Sequence, residues 1–123
     1  MPKVVNLARC FEKFSDTYSP KIVGELNGQH VKLARLEGDK CPWHTHDRED
    51  EMFFVVDGVL DVQERDRAVT LHAGEFCIVR RGREHRAVPH GHVKLILFEP
   101  EGTAHTGSVR AEITKDHYDR LDT

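Results

Sequence analysis

The feature that most constrains the fold is a succession of short β-branched and aromatic runs separated by turn residues. The runs are Lys21–Leu26, His30–Glu37, Glu51–Val56, Val59–Glu64, Ala68–His72, Phe76–Arg80 and Val93–Glu99. The turn residues between them are Asn27-Gly28, Gly38-Asp39, Asp57-Gly58, Asp66-Arg67, Ala73-Gly74 and His90-Gly91. Many short strands at this spacing predict an all-β sandwich or barrel of six to eight or more strands.

The two ends of the chain depart from this pattern. Apolar residues recur at helical spacing from Leu7 to Phe14, and Asn6 precedes them as a candidate N-cap. We therefore expect a short N-terminal helix over Leu7–Phe14, packed outside the barrel. The charged tail from Lys115 to Thr123 is weakly helical in pattern. No linker, repeat or low-complexity tract interrupts the chain, which predicts a single domain over residues 1–123.

Charge and composition exclude several kinds of protein. A formal net charge of −3 argues against a general nucleic-acid binder, which carries a basic surface. The longest apolar run, Met52–Val56, is far too short to span a membrane. The three cysteines, Cys10, Cys41 and Cys77, are odd in number and lack the spacing of a metal knuckle. Because reduced thiols fit best and the start lacks the apolar core of a secretory signal, we expect a cytoplasmic protein.

His44, His46 and Glu51 form the constellation with the clearest chemistry. The two histidines stand two residues apart beside a strand-like segment, so their side chains point to the same face. A four-residue turn leads to Glu51, and a hairpin would bring this carboxylate, which shares a face with Phe53 and Val55, back beside them. Burying a carboxylate costs several kcal/mol unless it is paired or bound to a metal. Because imidazoles and a carboxylate suit a divalent transition metal, the pattern predicts a metal site, with a metal-free polar barrel mouth as the alternative.

Other side chains near this constellation are weaker candidates. Glu49 and Asp50 are alternative carboxylates, but strand alternation turns Asp50 away from the cavity and favours Glu51. Cys41 has the opposite parity to His44 and is not counted as a ligand. Most remaining histidines have no partner at ligand spacing, and the segment from His90 to His92 is interpreted as a surface loop.

The spacing of these residues resembles the cupin superfamily. Between Gly38 and Gly58 the chain reads Gly-x5-His-x-His-x4-Glu-x6-Gly, which matches the first cupin motif. From Gly74 it reads Gly-x5-Arg-x-Gly-x2-His, which resembles the second motif. The chain departs from that motif at Arg80, where the family usually has Pro, and at Pro89, where it usually has Asn. Neither position normally ligates the metal.

This resemblance implies an all-β cupin jelly-roll β-barrel, or double-stranded β-helix, with its metal-binding core over residues 38–89. It also implies that three histidines and one glutamate hold the metal: His44, His46, Glu51 and His85. Zinc, iron, manganese, nickel and copper all occur in cupins, so the sequence does not name the metal. More narrowly, the segments Trp43–His46 and Glu99–Thr103 resemble small mannose-6-phosphate isomerase-like cupins.

A metal with four protein ligands retains about two open octahedral positions for substrate or dioxygen. The candidate walls of its pocket, chosen by strand parity, are Phe53, Val55, Leu60, Val62, Phe76, Ile78, Leu95 and Leu97. Such an apolar wall suits a small organic ligand. We favour a metal-dependent enzyme of oxygenase, isomerase or lyase type. A non-enzymatic small-molecule binding protein and a barrel with a purely structural metal are the alternatives.

Family likeness also implies a homodimer. Several apolar residues offer more surface than one small barrel needs: Leu7, Phe11, Phe14, Val23 and Phe54. The sequence offers no nucleophile elbow, no phosphate-binding glycine loop and no helix-turn-helix segment. The expected partners are therefore a small-molecule ligand and a second copy of the chain, without nucleic acid or membrane.

Overall fold

Seven β-strands and one short helix make up the regular structure of residues 2–123, the part of the chain that the computed structural model describes. The elements are α1 (Leu7–Glu12), β1 (Lys21–Leu26), β2 (Gln29–Leu36), β3 (Glu51–Glu64), β4 (Arg67–Leu71), β5 (Phe76–Val79), β6 (His85–Pro100) and β7 (Asp119–Arg120). The all-β prediction is confirmed. No helix within these residues has the length and apolar character needed to cross a membrane.

All seven strands belong to one sheet, in the order β4-β3-β6-β2-β1-β7, and β5 pairs with β3 along the edge opposite β6. Every pairing is antiparallel except that of β1 with β7. The long ladder between β3 and β6 joins the two segments that carry the metal motifs. The sheet is not closed, because β4 and β7 stand at opposite ends of its strand order.

Two predicted turns lie inside long strands. The predicted turn at Asp57-Gly58 is a pair of register irregularities within β3, and the predicted turn at His90-Gly91 lies within β6. Gly58 has a φ of +93°, and a Cβ placed there would lie 2.5 Å from the carbonyl oxygen of His92. This glycine therefore permits a bend and a close approach of two paired strands rather than a chain reversal.

His90 and His92 consequently do not belong to a surface loop, and that interpretation was wrong. Both lie in β6, where cross-strand contacts hold their rings. The Nε2 atom of His90 lies 2.8 Å from an oxygen of Asp61, and the Nε2 atom of His92 lies 2.9 Å from a guanidinium nitrogen of Arg35. Neither histidine belongs to a group of converging metal-ligating side chains in the described residues.

The ends of the chain confirm one prediction and correct another. Asn6 caps α1 as predicted, since its side-chain oxygen accepts from the backbone N–H of Arg9 at 3.0 Å, although the helix stops at Glu12. The tail is not helical. Asp119–Arg120 pairs with the open edge of β1, and the N–H of Leu121 donates to the carbonyl of Ile22. Backbone pairing with an available edge outweighs a weak helical preference.

Apolar side chains form a core on each face of the sheet. The inner core contains Tyr18, Ala34, Leu36, Phe53, Val55, Leu60, Val62, Leu71, Val79, Ala87, Val93, Leu95 and Leu97. It includes six of the eight predicted wall residues, but Phe76 and Ile78 are 56% and 44% exposed. Their strand, β5, has the opposite parity to the one assumed.

The outer core lies under α1, where Cys10 and Phe11 pack against Leu33. Phe11, which was counted as surplus apolar surface for a dimer, is buried by its own chain. Phe14 and Val23 are half-buried against the same cluster. Much of the surface that motivated the homodimer is thus covered within one chain.

Candidate metal centre

Four buried side chains converge at one end of the barrel. One ligand atom from each of them lies within 4.8 Å of the others, and the four residues are His44, His46, Glu51 and His85. None is more than 5% exposed. These are the four residues that the cupin resemblance placed at a metal.

The backbone explains how two distant motifs meet. His44 and His85 form an isolated antiparallel bridge, with each N–H donating to the other's carbonyl at 3.0 and 2.9 Å. The N–H of Gly82 also donates to the carbonyl of His46 at 2.8 Å. The expected hairpin between the histidine segment and the strand of Glu51 is absent, because Glu51 pairs instead with Val79 of β5. The second motif therefore positions the histidines of the first.

Backbone carbonyls orient two of the histidine rings. The Nδ1 atom of His44 lies 2.8 Å from the carbonyl oxygen of Pro42, and the Nδ1 atom of His85 lies 2.9 Å from that of Arg83. A carbonyl only accepts, so each Nδ1 carries the proton and each neutral ring keeps the lone pair of Nε2. Fixing the tautomer from behind in this way is the usual arrangement for histidine metal ligands.

Some metal-ligating atoms at the centre of the cluster have no hydrogen-bond partner among the described residues. Glu51 Oε1 lies 3.2 Å from Nε2 of His85 and 3.6 Å from Nε2 of His46. Only the first distance permits a hydrogen bond. Both ring nitrogens of His46 are buried without a hydrogen-bond partner in the described residues. A cation would satisfy a nitrogen of His46, so the residues present fit a metal.

Burial sets the protonation states of the metal-free cluster. It lowers the pKa of His44 to about 4 and that of His46 to about 3, and it also lowers the pKa of His85. It raises the pKa of Glu51. Because Nδ1 of His85 carries the proton, its Nε2 can only accept, so the 3.2 Å contact is a hydrogen bond when the carboxyl of Glu51 is protonated and donates. A divalent ion would take the place of that proton.

The alternative carboxylate Asp50 faces away, as strand alternation predicted. Its oxygens accept from the backbone N–H of Arg81 at 2.9 Å and from the side chain of Arg80 at 3.3 Å. Arg80, which replaces the usual proline of the motif, thus holds Asp50 on the side of the strand that faces solvent. Cys41 lies close by, but burial raises the pKa of its thiol to about 11, which disfavours the thiolate that a metal requires.

Sequence reasoning missed a buried ion pair beside the cluster. Nζ of Lys32 lies 2.8 Å from Oε1 of Glu99, and the two residues are 0% and 2% exposed. The ammonium also sits 3.6 Å from the centre of the Tyr118 ring. Burial and the adjacent Glu51 raise the pKa of Glu99. The signal was available, because Glu99 shares its face with apolar Leu97, just as Glu51 shares its face with Phe53.

A cavity of about 50 Å³ lies beside the cluster. It is lined by Tyr18, Pro20, Ala34, Leu36, Cys41, His44, Glu51, Phe53, Ala87, Leu95, Leu97, His105, Thr106 and Ile113. The lining is mainly apolar, with two of the four clustered side chains at one end. The cavity is partly open to solvent and holds a few water molecules, so a larger ligand would have to extend beyond it or displace the residues around it.

Residues 102–118, which we call the covering segment, lie over this cavity. A groove of about 520 Å³ runs along the segment, and His105 and Thr106 line both the groove and the cavity. Thr106 is held by a 2.6 Å contact between its hydroxyl and that of Thr114. Nδ1 of His105 accepts from the backbone N–H of Lys115 at 2.9 Å, which leaves Nε2–H as a donor on a ring whose pKa burial lowers to about 4. These two residues separate the groove from the cluster.

Comparison with known proteins identifies the family. Residues 34–101, more than half of the chain, match the cupin domain model Cupin_2, so the chain belongs to the cupin superfamily. The YdbB protein of Bacillus subtilis is 30% identical over 88 residues, which cover 70% of this chain and 76% of that protein. Germin-like protein 9-2 of Oryza sativa is 31% identical over 123 residues, covering 91% of this chain but only 58% of the rice protein.

Solved structures confirm the jelly-roll fold. A cupin-2 domain containing protein from Shewanella frigidimarina has a TM-score of 0.77 and 35% sequence identity, covering 80% of this chain and 95% of that one. Protein NMB1881 from Neisseria meningitidis has a TM-score of 0.72 and 27% identity, covering 80% and 100%. The narrower resemblance to mannose-6-phosphate isomerase-like cupins stays a prediction.

Proposed function

We propose that the chain is a metal-dependent enzyme that acts on a small organic metabolite. Its metal would be one divalent transition ion held by His44, His46, Glu51 and His85. The observation that carries the proposal is the convergence of these four buried side chains, including a histidine with no hydrogen-bond partner in the described residues. Leaving such groups without a cation is costly, because buried polar atoms are nearly always satisfied.

The bound ion would act as a Lewis acid with open positions for an oxygen or nitrogen atom of the ligand. The protein's own contribution is orientation and exclusion of water. The carbonyls of Pro42 and Arg83 hold two of the ligand rings, and the apolar side chains of Phe53 and Leu95 limit the water beside them. Electrostatic interactions at the metal are stronger in such a site than in water.

His105 would contact the ligand of this proposed enzyme. The backbone donor at its Nδ1 keeps the proton on Nε2, so the ring offers a fixed N–H at the cavity wall. Movement of His105 and Thr106 would join the groove to the cavity and admit a ligand larger than the present space. A metal with open positions beside a fixed N–H donor could serve an oxygenase, an isomerase or a lyase.

The small size of the cavity is compatible with one alternative, a purely structural metal. A space of about 50 Å³ behind a hydrogen-bonded covering segment would suit an ion that only stabilises the fold. A protein that binds its ligand without turnover is the other alternative, and it shares the site and the opening with the enzyme.

Metal content tests the first part of the proposal. We expect this cluster to hold about one equivalent of transition metal per chain after purification without a histidine tag, and that equivalent to be lost in Glu51→Gln and His85→Ala. His90→Ala is the matched control, since its ring contacts Asp61 far from the cluster. Full metal in the first two variants, or loss of metal in the control, would show that the site is misassigned.

Turnover and ligand binding separate the three functions. We expect the metal-loaded protein to consume oxygen or convert a member of a panel of enols, thiols and diketones. His105→Phe should weaken ligand binding or turnover while leaving the metal in place. Binding without conversion would favour the binding protein. If neither the panel ligands nor azide changes the spectrum of the bound metal, the structural role would be favoured.

We also propose a homodimer in a reducing compartment such as the cytoplasm. Phe76 and Ile78 are large apolar side chains exposed on the outer face of β5, which supports pairing through that face. The three cysteines are free, which suits reducing conditions. Light scattering at micromolar concentration should give twice the chain mass, and Ile78→Lys should halve it. A monomeric mass for the wild type would contradict the proposal.

A further inference from the structure

A second group of ligating side chains lies where the β1–β2 turn meets the end of β6. One ligand atom each from Glu25, His30 and Glu101 lies within 4.8 Å of the others. Glu25 and His30 are opposite each other in the β1–β2 ladder. The backbone N–H of Glu101 donates to the carbonyl of Gly28 at 2.9 Å, which brings the third side chain to the same place. The backbone therefore fixes all three positions.

His30 is the unusual member of this group. It is only 6% exposed, and neither of its ring nitrogens has a hydrogen-bond partner in the described residues. Its Nε2 lies 3.3 Å from Oε2 of Glu25, which is close enough for attraction but lacks the alignment of a hydrogen bond. A buried imidazole without a partner is rare in folded proteins. Here it adjoins two carboxylates that remain open to solvent.

We propose that Glu25, His30 and Glu101 form a second divalent metal site, distinct from the His44 cluster. One imidazole nitrogen and two carboxylate oxygens suit zinc or a similar borderline ion, with water completing its shell. The ion would give the ring of His30 the partner that it lacks. It would also neutralise two negative charges that the turn brings together.

The position of the site gives it a consequence for the rest of the protein. Glu101 immediately precedes the covering segment, residues 102–118. An ion shared by Glu101 and the β1–β2 turn ties the beginning of that segment to the sheet. Arg120 is the competing cation, since its guanidinium lies 3.3 Å from Oε2 of Glu25 and would have to yield to the ion.

Calorimetric titration of the metal-free protein with Zn²⁺ tests the proposal. We expect two equivalents in the wild type. Glu101→Gln and His30→Asn should lose one and retain the other, while His85→Ala should lose the His44-cluster equivalent and retain the second. Arg120→Ala should tighten the second equivalent several-fold, because it frees Glu25. Retention of the first equivalent shows that a variant is folded, and Glu101 is exposed, so its replacement does not threaten the fold.

His72→Asn is the matched control. His72 and Glu75 form an exposed imidazole–carboxylate pair at 3.2 Å without a third ligand, so this variant should keep both equivalents. A single equivalent in the wild type would overturn the second site. So would a second equivalent that survives both Glu101→Gln and His30→Asn, or one that disappears in the His72 control. These outcomes are separate from loss of the His44-cluster equivalent, which concerns the proposed function.

Discussion

Replacing Lys32 with Met tests how the polar end of the barrel is held together. The ammonium of Lys32 is fully buried, 2.8 Å from the carboxylate of Glu99 and 3.6 Å from the centre of the Tyr118 ring. Methionine keeps most of the side-chain volume but removes the charge. The variant therefore leaves Glu99 buried beside Glu51 without its cation.

Removing one partner of a buried ion pair costs roughly 3–5 kcal/mol, because the remaining charge keeps its desolvation penalty. We expect a loss of about that size in the free energy of unfolding at pH 8. Glu99 can escape part of the penalty by taking up a proton, since burial and Glu51 already raise its pKa. A carboxyl whose pKa is raised in the folded state contributes stability at low pH and loses it as pH rises. The deficit of the variant should therefore shrink between pH 8 and pH 5.5.

Urea unfolding of the metal-free wild type, Lys32→Met, Glu99→Met and the double variant measures this coupling. We expect the double variant to recover most of the loss, because replacing both members of a buried pair by apolar groups is often neutral or stabilising. A loss below about 1 kcal/mol at pH 8 would refute the reasoning. So would a double variant whose loss is the sum of the two single losses, since the pair would then be uncoupled.

Three further predictions concern stability. Metal-free protein should lose stability as pH falls from 6.5 to about 4, because His44 takes up a proton at a higher pH in the unfolded chain than in the folded protein. Melting curves should show a loss of up to roughly 3 kcal/mol in the free energy of unfolding from His44, partly opposed by the raised pKa of Glu51. Chelation should lower Tm by roughly 10 °C if the metal is present at a hundredfold its Kd, and unchanged melting curves after demonstrated stripping would contradict a coupled site. Gly58→Ala should cost more than the roughly 1–2 kcal/mol expected of Gly82→Ala in urea unfolding; both have positive φ, but only Gly58 has a carbonyl 2.5 Å from the added Cβ.

The candidate site was predictable because its signal is local. His44, His46 and Glu51 lie within eight residues of one another, and an ionisable group at the head of an apolar row indicates a buried role. His85 was different. Nothing in its immediate surroundings distinguishes it from the other histidines, and only the motif resemblance joined it to the site. The structure shows the physical link, which is the backbone bridge between His44 and His85.

The two turns that were predicted within β3 and β6 were wrong for the same reason. Glycine with positive φ permits both a tight turn and a strand bend, and the sequence around Asp57-Gly58 does not say which is used. The answer depends on whether a partner strand continues alongside. Here β6 continues past the bend in β3, so the chain stays paired where local turn chemistry predicts reversal.

The burial of Lys32 was hard to predict for another reason. Lys32 alternates with Val31 and Leu33, and a lysine in such a pattern is usually on the solvent face. In this barrel the face of Lys32 points inward, because it also carries Ala34 and Leu36 of the core. The lysine is tolerated there only because Glu99, two residues beyond core Leu97, arrives from the neighbouring strand.

The two ends of the barrel therefore have different energetic roles. Around Val55, Leu60 and Val93 the interior is apolar and fully buried, and it supplies the hydrophobic stabilisation of the fold. At the other end, interior positions hold histidines, carboxyls and a lysine, each of which costs free energy to desolvate. Apolar residues at those positions would stabilise the fold more cheaply than an ion pair does. The polar interior is thus better explained by what it binds than by what it stabilises, which supports the proposed ligand-binding metal over the structural alternative.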